Sequence, residues 1–389
     1  MKATSPKIRK DFLVFGSPRI EEAEIAEVVA TLRSGWIGTG PKVKKFEEQV
    51  RAYKGVEHAI AVASCTAALH LSMVALDLKP GDEVITTPMT FCATLNAIIH
   101  AGGRPVLADC DRTTLNIDPK ELARKITKKT RAILPVHFAG RPCEMDELMD
   151  VAGKHKLSVI EDCAHAIETE YRGKKAGTFG SFGALSFYVT KNITTAEGGM
   201  VLTNDAELAD KIKILALHGM SKDAWKRFSD KGYKHYEVLH PGFKYNMTDM
   251  QAALGIHQMP RIDEYWNRRQ EIWRRYDEAF AGLPFITPAP PAPNTRHGYH
   301  LYTILVDPER SGKTRDQVLE ELTARNIGTG VHYLALHLQP YYRQLLGHKP
   351  GDFPNSEFIG DRTLSLPLSA KLTDEDVADV IDAVRAVLR

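Results

Sequence analysis

The chain has 389 residues, 43% hydrophobic and 26% charged, enough for two or three domains around a large core that needs no metal or disulfide staple. With 51 basic and 49 acidic residues the net charge is +2, so no general basic field exists to hold nucleic acid or an anionic membrane. Any anion must be bound locally. Five cysteines (Cys65, Cys92, Cys110, Cys143, Cys163) stand 18 to 33 positions apart without a CxxC pair, which speaks against a zinc knuckle or disulfide framework and for a reducing, cytoplasmic compartment.

The opening MKATSPKIRKDF has charge but no apolar run behind it, unlike a signal peptide. Ser17-Pro18 reads as a helix cap with proline at the first turn, followed by Ile25, Val28, Val29 and Leu32 at helical spacing and a stop at Gly35. A second helix carries Val43, Phe46, Val50 and Tyr53 and ends at Gly55. Short apolar runs then alternate with helical stretches: 59–63, 83–86, 104–109, 132–137 and 157–162, with further strands expected at 184–188 and 200–203. That alternation predicts an α/β fold with parallel strands. Residues 85–103 hold no charge for 19 positions, yet Thr86, Thr87, Thr90, Thr94, Asn96 and His100 are too polar for lipid. The stretch reads as a buried strand, turn and helix, with no membrane insertion. Five prolines within 284–293 make an extended connector. Beyond it lie a strand at 301–306, a helix at 316–324 and a final helix capped by Thr373 with Asp376 three residues on, a small α+β lobe.

GxGxxG after the first strand, GxxxxGK[ST] and HExxH are all absent, which excludes a dinucleotide dehydrogenase, a P-loop enzyme and a zincin. Polar residues instead gather just beyond strand ends, where open α/β sheets bind ligands. Ser64-Cys65-Thr66-Ala67-Ala68 opens a helix with small residues whose N–H groups could meet an anion, although an ordinary helix cap would look the same. Asp162 ends an apolar strand three residues before His165, where a carboxylate needs a cation or hydrogen-bond donors. Lys191 follows the strand at 184–188 and precedes a small-residue loop, so desolvation would make its amine nucleophilic. An anion cradle, a carboxylate and a site lysine together match the needs of pyridoxal phosphate.

The strings SFYVTKNITTAEGGMVLTND, EDCAHA, VASCTAALHL, SGWIGTGPKVKKFEE and PGFKYNMTDMQAALGIHQ strongly resemble the DegT/DnrJ/EryC1/StrS nucleotide-sugar aminotransferases, from about Phe15 to the C-terminus. Within that family the chain is most similar to the branch that aminates the C4 keto group of UDP-linked sugars. The resemblance implies the PLP-dependent transferase fold type I: a mostly parallel seven-stranded sheet in a large domain, plus the small C-terminal lobe. The expected divisions are an N-terminal arm (1–16), a large cofactor-binding domain (17–275) and a small domain (276–389).

It also implies roles. Lys191 would form the Schiff base and carry protons, Asp162 would pair with the pyridine nitrogen, and His165 would lie beside the phenolic oxygen. Phe91 would stack on the ring, and Cys65, Thr66 and Ser186 would hold the phosphate, with Cys65 standing where the family has Gly or Ala. Asn246 would reach the phosphate from the neighbouring subunit of a homodimer. Trp36, Ile37 and Thr39 would line the sugar pocket, and His332 and Tyr333 would close over substrate. A basic cluster, Lys222, Lys226 and Arg227, could meet the diphosphate or be a solvated face. The implied reaction moves an amino group from L-glutamate to a nucleotide-linked 4-keto sugar, releasing 2-oxoglutarate. The related sugar 3-dehydratases carry histidine in place of the lysine, so Lys191 counts against them, and a non-catalytic sensor would be favoured only if Lys191, Asp162 or the cradle were broken.

Overall fold

The computed structural model describes residues 8–221 and 236–388, so the cluster Lys222, Lys226 and Arg227 lies outside the described residues. Five strands come first: β1 (His58–Val62), β2 (Glu83–Thr86), β3 (Arg104–Leu107), β4 (Thr130–Ile133) and β5 (Ser158–Cys163). A short hairpin, β6 (Glu170–Tyr171) and β7 (Lys174–Lys175), precedes β8 (Phe182–Ser186) and β9 (Gly199–Thr203). The main sheet has seven strands in the order β1-β9-β8-β5-β4-β2-β3. Only β9 runs against the rest, pairing antiparallel with both β1 and β8. The expected strands therefore form, and residues 85–103 become a strand, a turn and a helix as read.

Two apolar clusters cover the two faces of the sheet, as parallel strands require. One centres on Ile60, Val62, Leu69, Leu71 and Val201, the other on Phe46, Val50, Leu185, Phe187 and Ile256. The small lobe has its own sheet, β10 (Phe285–Ile286), β12 (Tyr302–Val306) and β13 (Thr363–Leu366). The two-residue β11 (Thr295–Arg296) pairs instead with β6. A 19-residue helix, Ile262–Phe280, runs through position 275 without a break. Its first residue sits in the large core, while Ile272, Trp273, Tyr276 and Phe280 belong to the small lobe's core. Thr373 and Asp376 form the expected reciprocal cap on the last helix.

The first helix differs from its sequence reading. Helix α1 spans Glu22–Ser34 and is capped by Glu21 and Glu24, not by Ser17, whose Oγ accepts from Lys371 Nζ at 2.9 Å. Its buried residues are Glu24 and Thr31, while Ile25, Val29 and Leu32 are 47%, 36% and 55% exposed. Glu24 can be buried because Arg261 pairs with it. Helical spacing marked the apolar face correctly, but that face points away from this chain's core. Helix α2 (Pro41–Lys54) behaves as expected, burying Val43, Phe46 and Val50 and stopping at Gly55. No helix among the described residues is long and apolar enough to cross a membrane.

Candidate active site

The residues flagged by the sequence gather at the carboxyl ends of the parallel strands. Helix α3 (Cys65–Ala75) begins directly after β1, with Ser64 Oγ accepting the Ala67 N–H at 3.0 Å. A helix leaves its first N–H groups without intrahelical partners. Those of Cys65 and Thr66 find none among the described residues, and Thr66 is exposed. The Cys65 thiol turns inward to the Ala184 carbonyl at 3.8 Å, so Cys65 offers a ligand only its backbone N–H. Gly199 backs this turn. A Cβ there would meet the Ser64 carbonyl and lie 2.5 Å from Cys65 N, so only glycine lets β9 approach so closely. Ser186, opposite Gly199 in the β8–β9 ladder, accepts the Tyr188 N–H at 3.4 Å.

Asp162 lies near the end of β5 and is 5% exposed. Thr94, on helix α4 (Cys92–His100), donates to its Oδ2 at 3.0 Å and the Ala164 N–H donates to Oδ1 at 3.1 Å. No cation pairs with this carboxylate among the described residues, and burial pushes its pKa up. Lys191 follows β8; burial drives its amine down to about 8, opposed by the negative potential of Cys65 and Asp162. Its Nζ makes no hydrogen bond or ion pair among the described residues. Its backbone neighbour is held firmly: Asn192 Nδ2 donates to Glu168 Oε2 at 2.8 Å and to the Gly298 carbonyl at 2.9 Å, and Asn192 Oδ1 meets His300 Nδ1 at 2.8 Å. Glu168 in turn pairs with Arg269 at 2.5 Å, both almost wholly buried.

His165 is 6% exposed, with Nδ1 facing the Ala139 N–H at 3.2 Å and Nε2 facing the Tyr333 hydroxyl at 3.2 Å. Burial first, then the positive potential of Lys191, holds it well below the usual histidine range. His300 packs against it at 4.3 Å between ring centroids. Phe91 is 57% exposed, its ring 6.0 Å from that of Tyr333. His332 bonds Ser365 Oγ at 2.9 Å, and burial beside Lys191 brings its pKa to about 4. On the far side of β1, Asn246 Nδ2 donates to Thr39 Oγ1 at 2.6 Å, and Thr39 Oγ1 donates to the Met247 carbonyl at 2.5 Å. Trp36 Nε1 donates to the Thr39 carbonyl at 3.1 Å, while Trp36 and Ile37 are more than half or half exposed. Thus Lys191, Asp162, His165, His332 and Tyr333 converge, whereas Trp36, Ile37, Thr39 and Asn246 form a separate group beside β1.

Sequence reasoning did not single out Thr94, Asn192, His300, Glu168 or Arg269. Asn192 adjoins Lys191, and Thr94 and Glu168 each lie three positions from a flagged residue, which was the available signal. His300 and Arg269 are joined to the site only by long-range pairing.

Among the described residues, a buried carboxylate without a cation, an amine without a partner whose pKa burial lowers, and two helix-start N–H groups without acceptors are complementary to one molecule with a protonated ring nitrogen, a carbonyl carbon and a phosphate. Fold and site together define a PLP-dependent transferase of fold type I. The DegT/DnrJ/EryC1/StrS aminotransferase family model matches residues 18–385, and the chain belongs to that family. It is a PLP-dependent sugar aminotransferase. The chain is 50% identical over 382 residues, 98% of each chain, to the spore coat polysaccharide biosynthesis protein SpsC of Bacillus subtilis. The putative sugar aminotransferase Spr1654 of Streptococcus pneumoniae, solved in its PMP form, is 35% identical, with a TM-score of 0.90 over 96% of this chain and 98% of that one. The same protein in its PLP form gives 0.89 at 34% identity over 97% and 100%. DesI, solved in the presence of its TDP-sugar product, gives 0.86 at 32% identity over 98% and 94%.

Proposed function

We propose that this enzyme transfers the amino group of L-glutamate to the C4 keto group of a nucleotide-linked 4-keto sugar, UDP-linked by its resemblance, in the cytoplasmic assembly of a surface polysaccharide. The observation that carries the reading is Lys191, a buried amine without a partner among the described residues, near the Asp162 carboxylate, which has no cation among them. Relatives support a nucleotide-linked sugar, a surface polysaccharide and the cofactor: SpsC is named for spore coat polysaccharide, DesI was solved in the presence of its TDP-sugar product, and Spr1654 is known in both cofactor forms.

Pyridoxal phosphate, when bound, supplies an electron sink and a temporary carrier for nitrogen. The Cys65 and Thr66 N–H groups, with Ser186, would hold its phosphate. Asp162, kept anionic by Thr94 and the Ala164 N–H, would hold the proton on its ring nitrogen. Lys191 Nζ, near 8 in pKa, can take a proton from the donor's Cα and return it elsewhere at neutral pH. Phe91 offers an exposed face on which a ring can stack.

The active site is completed by a second copy of the chain. The exposed apolar face of α1, continued by Trp36 and Ile37, is what such a partner would cover, and Asn246 would reach across to the partner's phosphate. The test is the visible spectrum of the purified protein before and after L-glutamate. A yellow band that bleaches with glutamate in the wild type, and is absent in Lys191→Ala, supports the reading. A wild type that shows no such band even with excess pyridoxal phosphate refutes it.

A further inference from the structure

Among the described residues, Arg141 is a buried cation without a counter-charge: it is 8% exposed, and no carboxylate forms a salt bridge with it. Its Nη2 donates to the carbonyls of Ala289, at 2.6 Å, and Pro290 in the proline-rich connector. Its Nε and Nη1 have no hydrogen-bond partner among the described residues. The carboxylates that act on it from a distance, Glu144 and Asp111, are engaged elsewhere. Glu144 accepts the Tyr171 hydroxyl at 3.3 Å, and Asp111 Oδ1 accepts the Thr113 and Thr114 N–H groups at 3.0 and 2.7 Å. A guanidinium stays charged at any working pH, so burying it unpaired is costly.

Arg141 lines a cavity of about 20 Å³ between the turn beyond β4 and the connector, with Phe138, Pro288 and Leu301 among its apolar walls. That volume takes one body about the size of a water. His297, 3% exposed, lines the same cavity. Its Nδ1 accepts the Tyr299 N–H at 2.9 Å, so a neutral imidazole carries its hydrogen on Nε2, which has no partner among the described residues. Burial, then the positive potential of Arg141, lowers the pKa of His297 to about 3, so the ring is neutral at physiological pH. The cavity therefore offers N–H donors and one positive charge, and no carboxylate lines it among the described residues. Water would fill the space but leave the charge unpaired. A phosphate or a larger anion would exceed both the room and the single charge.

We propose that this cavity binds one small monoanion of the size of chloride, held by the Arg141 guanidinium and the Nε2–H of His297. None of the groups assigned to the cofactor takes part. Arg141 and His297 belong to two segments already joined through their backbones. Gly298 N–H donates to the Gly140 carbonyl at 2.7 Å, and His300 N–H donates to the Ala139 carbonyl at 3.0 Å. The anion adds a charged tie between the same segments, a structural ligand that pins the connector to the large domain beside the active site.

The test uses the cofactor-loaded enzyme at neutral pH and constant ionic strength, with sodium gluconate exchanged stepwise for sodium chloride. The melting temperature should rise with chloride along a saturating curve, by about 3 °C once chloride reaches about a hundred times its Kd. Crystals soaked in sodium bromide should show an anomalous peak in the cavity, in contact with Arg141 and His297. Arg141→Gln keeps a donor for the connector carbonyls but loses the charge, and its melting temperature should no longer respond to chloride. Thr114→Asp places a tethered carboxylate on the cavity wall. It should lose the chloride response while melting above the wild type in gluconate, and it decides the matter if Arg141→Gln does not fold. The proposal is overturned if the wild type melts alike in both salts or responds linearly without saturating. It is equally overturned if bromide leaves no peak in the cavity, or if either variant keeps the full chloride response.

Discussion

Lys191 stores destabilisation that a single substitution should release. In the unfolded chain its amine has the ordinary pKa of 10.5, and in the fold burial lowers it to about 8. Between those values the unfolded state binds the proton and the folded state does not, so stability rises with pH across that window. Below pH 8 the folded state carries the full penalty, about 3 kcal/mol at pH 7, and at pH 10 less than about 1 kcal/mol remains. Lys191→Met keeps the length of the stem and removes the charge. In the cofactor-free enzyme it should therefore be more stable than wild type by about 3 kcal/mol at pH 7, or about 4 °C in Tm for a chain of this size. Urea unfolding of both proteins at pH 7, 8.5 and 10 measures this directly, and the difference should shrink steadily as the pH rises. A variant no more stable than wild type at pH 7, or a difference that does not change with pH, would show that burial does not penalise the charged amine.

Gly199→Ala should cost about 1–3 kcal/mol, because the new Cβ meets the Ser64–Cys65 peptide, and should weaken cofactor binding more than a stability loss alone explains. Calorimetry paired with a cofactor titration checks both parts; an unchanged affinity would separate β9 from the phosphate turn. Replacing Ile25 and Leu32 together with glutamate should leave the fold intact, since both are exposed, and reduce the particle to the mass of one chain, 43.3 kDa, in sedimentation. An unaltered dimer, or a wild type already sedimenting as one chain, would mean that α1 is not the contact.

Strand ends were legible because short apolar runs punctuated by helices leave few other folds, and Lys191 and Asp162 were legible because each is a charge set against an apolar strand. The supports of the site were not. Glu168 and Arg269 are 101 positions apart, and Asn192 and His300 are 108 apart. Each reads as an ordinary polar residue until the fold brings its partner. Ala139 meets His165 Nδ1 through a backbone N–H at 3.2 Å, which no side-chain pattern reveals. In α1 periodicity found an apolar face, but a pattern cannot say whether its neighbour is the same chain or another.

The single antiparallel strand has a mechanical consequence. β9 lies between β1 and β8, and the loop from Phe187 to Gly198 closes on itself through Phe187 N–H to the Gly198 carbonyl and Thr195 N–H to the Phe187 carbonyl, both at 2.9 Å. The turn proposed to take the phosphate and the loop that carries the lysine are thus riveted to opposite edges of one strand. Their spacing is a fixed gauge. A cofactor held at both ends as proposed would have to match it at both ends at once, so the sheet would measure its length before any side chain tests its chemistry.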